Sequence, residues 1–136
     1  MIKWFEKHNR ISWIITILIA IIIFYVSSLS FPSGKPTFPW KPILYHFYAF
    51  LCLSAFLLIS LTKGENKKFI KFAIILAIIY AISDEIHQLF IPTRFFAISD
   101  ILTDSAGIFS ALMIYLGLRW NEFKNGGVEK GDSVYY

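Results

Sequence analysis

The sequence predicts an all-α integral membrane protein, a four-helix bundle with amino and carboxyl termini both cytoplasmic. Three observations predict it. Hydrophobic residues make up 57% of the 136 and charged ones only 16%, a balance far to the apolar side of soluble domains. Four apolar stretches are each long enough for a hydrocarbon core of roughly 30 Å, which takes about 20 helical residues. The basic residues form short clusters at the ends of alternate stretches, as membrane orientation requires, which explains the net charge of +4 without invoking nucleic acid.

Residues 1–10 read as a cytoplasmic leader, made basic by Lys3, Lys7 and Arg10, with His8 solvated. The first span covers 11–30. Its flanks imitate a secretory signal, with basic residues before it and Ser28-Leu29-Ser30 after it, but the uncharged run is too long for a signal core, so it is read as a retained span. Phe31 to Pro42, with four prolines and a glycine, is expected to form a non-helical connection, because proline lacks a backbone donor and restricts its neighbour. The second, third and fourth spans are expected at 43–62, 69–91 and 95–118, so that a transmembrane domain occupies 11–118. A cytoplasmic tail follows at 119–136, polar and glycine-rich from Asn121 and expected to be disordered. Cys52, the single cysteine, sits in an apolar run as a packing residue and excludes a disulfide framework.

Topology follows from the charges. Of thirteen basic residues, only Lys35, Lys41 and Arg94 lie in the first and third connections; the other ten flank the opposite helix ends. The positive-inside rule then places both termini in the cytoplasm and those two connections outside. Trp4, Trp13, Trp40 and Trp120 fall where interfacial anchors are expected.

Polar residues gather at the outer level. At about 1.5 Å per residue, Asp84 and Glu85 lie more than roughly 20 Å along the third span. His46 opens the second span from that side, Asp100 and Asp104 open the fourth, and Ser27, Ser28 and Ser30 close the first. At 100° per residue, Asp84, His87 and Gln88 share one side of the third span with Glu85 at its margin. Asp100, Thr103, Asp104, Gly107 and Ala111 form a stripe on the fourth. Gly107 and Ala111 have the small-xxx-small spacing that lets membrane helices approach closely, so this stripe is expected to face the bundle interior. Taken singly, Ser27, Ser28, Thr103 and Gln88 read as hydrogen-bonding links between helices. The constellation of acids, histidines and Arg94 exceeds what such links require, and intramembrane ionisable residues point to function. A carboxylate facing lipid costs about 2.5 to 3.5 kcal/mol at the bilayer centre, and one guanidinium cannot neutralise four of them. Proton sharing, water or a cation must supply the remainder.

Within Ser83 to Gly107 the sequence resembles the VanZ-like family of small bacterial membrane proteins. The resemblance rests on Glu85, Gln88, Phe90, Pro92, Arg94, Asp100, Asp104 and Gly107, with weaker echoes at Phe24 to Ser28 and at Lys41, His46 and Tyr48; Thr93 stands where the family often has glycine. It implies the bacterial cell (cytoplasmic) membrane, four helices and an association with teicoplanin-type glycopeptide resistance, but no settled reaction.

The leading functional expectation is an outward-facing polar and acidic pocket that binds an envelope amphiphile or precursor, whether lipid-linked or glycopeptide-related. Its ligand-binding residues are expected to be His46, Asp84, Glu85, His87, Gln88, Arg94, Asp100 and Asp104, with Arg94 contacting an anionic group. The alternative is an intramembrane enzyme, metal- or acid/base-assisted, acting on a lipid-linked substrate. No cofactor is required by the sequence; if a divalent cation binds, Asp84, Glu85, Asp100 and Asp104 are the candidates, although no known metal-binding spacing such as His-Glu-x-x-His is present. A proton-coupled carrier is disfavoured because the inner halves of the spans read as almost purely apolar. The expected partners are the bilayer and that small molecule, with no nucleic acid.

Overall fold

The computed structural model describes residues 2–30, 40–64 and 67–125, with side chains through residue 120. Five helices follow one another: α1 (Ile2–Lys7), α2 (Asn9–Ser27), α3 (Trp40–Thr62), α4 (Lys68–Gln88) and α5 (Ile98–Asn125). No strand occurs among the described residues. Three helices are long and apolar enough to cross a membrane: α2, α3 and Ile98–Trp120 of α5. The fourth, α4, has 21 residues and therefore the length, but Lys68, Lys71, Asp84 and Glu85 lie toward its two ends.

Helix α3 is the hub, packing against α1, α2, α4 and α5. Its sequence runs from Ile43 to Thr62 without glycine or proline, and Pro42 sits in the first turn, where a missing N–H breaks no helical bond. Each neighbour presents a narrow stripe of small or polar residues. On α4 the stripe is Ala73, Ala77 and Ala81, all 1% exposed or less, leading at the same spacing to the buried Asp84, Glu85 and Gln88. On α5 it is Asp104, Gly107, Ile108, Ala111, Tyr115 and Arg119, all buried. Against these stripes α3 sets Phe50, Leu53, Leu57 and Leu58. The predicted close approach occurs at Gly107, where an added Cβ would collide with the Phe47 carbonyl and lie 3.0 Å from the Leu51 nitrogen.

The helix limits depart from expectation at five places, the first being that α3 begins at Trp40, inside the connection expected to be non-helical through Pro42. The leader is not merely a solvated arm. It forms α1, and because Ile2 and Phe5 pack against the core, Glu6 is carried inside to meet Arg119 Nη1 at 3.2 Å. Arg119 also donates to the Gly64 carbonyl, in a turn where Lys63 and Gly64 both take positive φ, 49° and 76°. Tyr115 completes the assembly, pairing with Thr62 at 2.5 Å and donating to Glu6 at 3.4 Å. This end of the bundle is thus tied by a buried ion pair and a tyrosine, neither of which has a signal in local sequence spacing. His8 is also engaged, stacking on Trp4 with ring centroids 4.3 Å apart and bonding its carbonyl.

Helix α2 stops at Ser27 because the Ser28 hydroxyl bonds back to the Phe24 carbonyl at 2.7 Å and the backbone closes there. The connection between α4 and α5 is longer than expected, running from Leu89 to Ala97, since Pro92 cannot continue a ladder and restricts Ile91. Finally, α5 continues through Asn125, so the start of the expected disordered tail is helical; 126–136 and the proline-rich 31–39 lie outside the described residues.

The Gly107 contact gives a stability test. Gly107→Leu should force α5 away from α3 and lower the unfolding midpoint in detergent by several degrees, corresponding to about 1–3 kcal/mol. Gly117→Ala, where an added Cβ meets nothing within 4 Å, should leave the midpoint unchanged or raise it slightly, because alanine favours the helix interior.

Candidate functional site

The polar residues of the opposite bundle end come from three helices. His46 on α3 is 3% exposed, Glu85 on α4 and Asp104 on α5 are both 0% exposed, and one ligand-type atom from each lies within 4.8 Å of the others. His46 Nδ1 and Asp104 Oδ1 are 2.9 Å apart. The second nitrogen, Nε2, faces Asp100 Oδ2 at 3.8 Å. Asp100 stands in the first turn of α5, favourably placed for the helix dipole, and with its side chain 24% exposed it forms the outer rim of the cluster.

Glu85 also organises the backbone. Its Oε2 accepts from Ala97 N–H at 3.1 Å, immediately before Ile98, so a carboxylate from α4 caps the start of α5 as an N-terminal side chain would. Its Oε1 accepts from Gln88 Nε2 at 3.3 Å, and the same nitrogen donates to Asp84 Oδ2 at 3.1 Å. Gln88 Oε1 in turn accepts from Arg94 Nη1 at 3.3 Å. Asp84, Glu85 and Arg94 are therefore bridged through one amide.

Arg94 differs from its expected role in one respect. Besides Gln88 it donates to the Val26 and Leu29 carbonyls at 3.1 and 3.3 Å, satisfying the open end of α2, a task suited to arginine near a helix C-terminus. It positions Gln88 and ties α2 to the connection after α4. That connection takes an unusual turn: Thr93 has φ 70°, a left-handed conformation that β-branched residues adopt only at a penalty.

His87 is turned away from the acids. Relative to Asp84 it lies about 60° to one side of α4, whereas Glu85 lies about 100° to the other, and the two flanks meet different helices. The His87 ring stacks on Phe24 of α2 with centroids 4.5 Å apart, and Nε2 pairs with Ser28 Oγ at 2.9 Å. Ser27 and Thr103 bond to backbone carbonyls three and four residues back in their own helices, in place of the links between helices expected for them.

Two acids of the cluster have unused capacity. Asp84 Oδ1 and Asp104 Oδ2 are buried and find no hydrogen-bond partner among the described residues, as does the hydroxyl of Tyr45 beside His46. Buried polar atoms in native proteins are nearly always paired, so such atoms mark a place for water, an ion or a ligand. The donor set, one imidazole with two carboxylates, suits a divalent ion, a ligand amine or hydroxyls, and also acid–base work.

The half of the bundle toward the Glu6–Arg119 end, expected from the sequence to be almost purely apolar, is less so. Besides Glu6, Tyr115 and Arg119, it buries Ser12, Thr16, Ser54, Ser60 and Thr62, with Thr16 and Ser60 paired at 3.2 Å. Their spacing on separate helices carries no signal until the helices are packed. Between the two polar ends, Ile23, Phe50, Leu53 and Ile108 fill the core.

An all-helical protein with three membrane-length apolar helices and a buried acid–histidine cluster at one end belongs to the membrane class. Its sequence matches the VanZ/LLP1 family model over residues 5–119, and the chain belongs to that family. Comparison with curated proteins and with solved structures finds no match.

Two substitutions separate structural from functional roles. Thr93→Gly should relieve the left-handed turn and raise the unfolding midpoint by a few degrees, about 1 kcal/mol; a fall would mean that Thr93's contacts outweigh the strain. Asp84→Asn removes a buried charge with a partnerless oxygen. It should hold or raise the midpoint, as expected of a group retained for function, whereas a loss of several degrees would mark Asp84 as structural.

Proposed function

We propose that this VanZ/LLP1 protein crosses the bacterial cytoplasmic membrane four times, with both ends inside. We further propose that its outer acidic cluster binds the amine- or hydroxyl-bearing head of an envelope amphiphile, and thereby contributes to tolerance of teicoplanin-type glycopeptides. The fourth crossing is α4, which starts beside the Gly64 turn and reaches the Ala97 end of the bundle, about 31 Å at 1.5 Å per residue. The orientation follows from the basic residues, which flank the Glu6–Arg119 end and leave only Lys35, Lys41 and Arg94 for the other.

One observation carries the ligand reading: three carboxyl groups, Asp84, Glu85 and Asp104, are 4% exposed or less at the same end, where Arg94 reaches them through Gln88. Such an excess of negative charge inside a bundle favours a positively charged or hydrogen-donating ligand over an anion. Asp100 stands at the rim, His46 and Asp104 below it, and Arg94 holds Gln88 against Asp84 and Glu85. His87, turned to α2, is left out of the binding set. A second reading, an acid–base enzyme acting on a lipid-linked substrate, is favoured by the 2.9 Å His46–Asp104 contact beside Glu85; turnover of such a substrate, lost in His46→Gln, would establish it.

Native mass spectrometry of protein in mild detergent tests the ligand class. Phosphatidylethanolamine, which carries an amine, should be retained about tenfold more strongly than phosphatidylglycerol, a difference of about 1.4 kcal/mol. Asp104→Asn combined with Glu85→Gln should abolish the preference. Equal retention of the two lipids by the wild type, or a preference for phosphatidylglycerol, would contradict the reading.

A further inference from the structure

We infer that His46, Glu85 and Asp104 form a binding site for one divalent transition-metal ion of the zinc or manganese type. The inference begins from convergence. Three donors from three helices place ligand atoms within 4.8 Å of one another, while donors bound to one tetrahedral ion at 2.0 to 2.1 Å stand roughly 3.3 Å apart. Closure by an ångström or so, within the reach of side-chain rotation, completes the site. The sequence alone nominates Asp84, Glu85, Asp100 and Asp104; the fold brings His46, from another helix, beside Glu85 and Asp104.

A second observation points independently to a ligand. Asp104 is wholly buried, its Oδ1 is engaged by His46, and its Oδ2 finds no partner among the described residues. An unpaired carboxylate oxygen in an apolar bundle is costly, and a metal ion is among the few ligands that offset two acids at once.

The surroundings resemble those of a prepared metal site. Glu85 is oriented by Gln88 Nε2 and Ala97 N–H, hydrogen bonds that fix its carboxylate while leaving lone pairs free. With its proton on Nε2, the side of Asp100, the neutral imidazole presents Nδ1 beside Asp104 Oδ1 at 2.9 Å as its metal-ligating atom, and a carboxylate near the other nitrogen can set the tautomer of a ligating histidine. Asp100 Oδ2 lies 3.8 Å from Nε2 at the exposed rim, placed to orient the ring and to guide the ion inward. Mixed imidazole and carboxylate donors favour zinc or manganese over magnesium or calcium, which prefer oxygen alone.

The site is shared with the amphiphile reading, and any use of the ion in ligand recognition rests on that reading. Binding of the ion itself is measured without lipid, so either proposal can fail alone. The experiment titrates tag-free protein in detergent with Co²⁺, followed by visible absorption, and competes it with Zn²⁺. Saturation at one ion per chain is expected, together with nitrogen hyperfine coupling in the pulsed EPR spectrum of Cu²⁺-loaded wild type. His46→Ala and Asp104→Asn should each weaken binding by about tenfold or more, while His8→Ala and His87→Ala leave it unchanged. Circular dichroism confirms that each variant is folded. Absence of saturable Co²⁺ and Zn²⁺ uptake by the wild type overturns the inference, as does binding that survives in folded His46→Ala or Cu²⁺ without nitrogen coupling. The wild-type arms decide the matter even where a variant fails to fold.

Discussion

The constraint on which the rest of the structure depends is the withdrawal of three carboxyl groups from solvent at one end of an apolar bundle. Asp84, Glu85 and Asp104 could not occupy that position alone, because desolvating even one charge is costly. The neighbouring sequence supplies what compensates them. Gln88 donates to two acids, Ala97 N–H and the α5 dipole meet Glu85, and His46 meets Asp104. Arg94 contributes by holding the far side of Gln88. Compensation is incomplete, since Asp84 and Asp104 each keep one oxygen without a partner among the described residues, and both atoms belong to acids at the same end of the bundle.

The opposite end is tied by a different kind of network. Glu6, Arg119, Tyr115, Thr62 and the Gly64 carbonyl meet around a buried ion pair, and Gly64 supplies a positive φ where a Cβ would strike Glu6 and Arg119. One α5 stripe joins the two ends, running from Asp104 through Gly107, Ala111 and Tyr115 to Arg119. Packing of Gly107 on the α3 backbone fixes the register of that stripe, and so sets Asp104 opposite His46. The small residues and the acids therefore form one design: backbones close enough to leave no room for lipid, and polar groups that need that exclusion.

Much of this was legible in the sequence because it rests on local periodicity. Apolar length located α2, α3 and α5, the Gly107–Ala111 spacing announced a close helix contact, and Ser83 to Gly107 carried the family resemblance. The acids and His46 could be placed at one level by counting along helices. Which of them meet could not be read, because that depends on how helices rotate about their axes. Hence His87, beside the acids in sequence, faces Phe24, and His46, 39 positions before Glu85 in the chain, joins them. The Glu6–Arg119 pair was hidden for a related reason, since a basic leader looks solvated until Ile2 and Phe5 find the core. The Ala73, Ala77, Ala81 row was readable as a second small-residue stripe, in a segment whose overall hydrophobicity drew attention instead.

The central claim is that His46, Glu85 and Asp104, carried on three helices, act as one physical unit. Double-mutant cycles among the three, with stability measured by reversible unfolding in detergent, test it most directly. Residues in one network should show coupling energies of about 0.5–3 kcal/mol for each pair. Additivity within about 0.5 kcal/mol for all three pairs would contradict the account, because groups that do not meet cannot share a ligand.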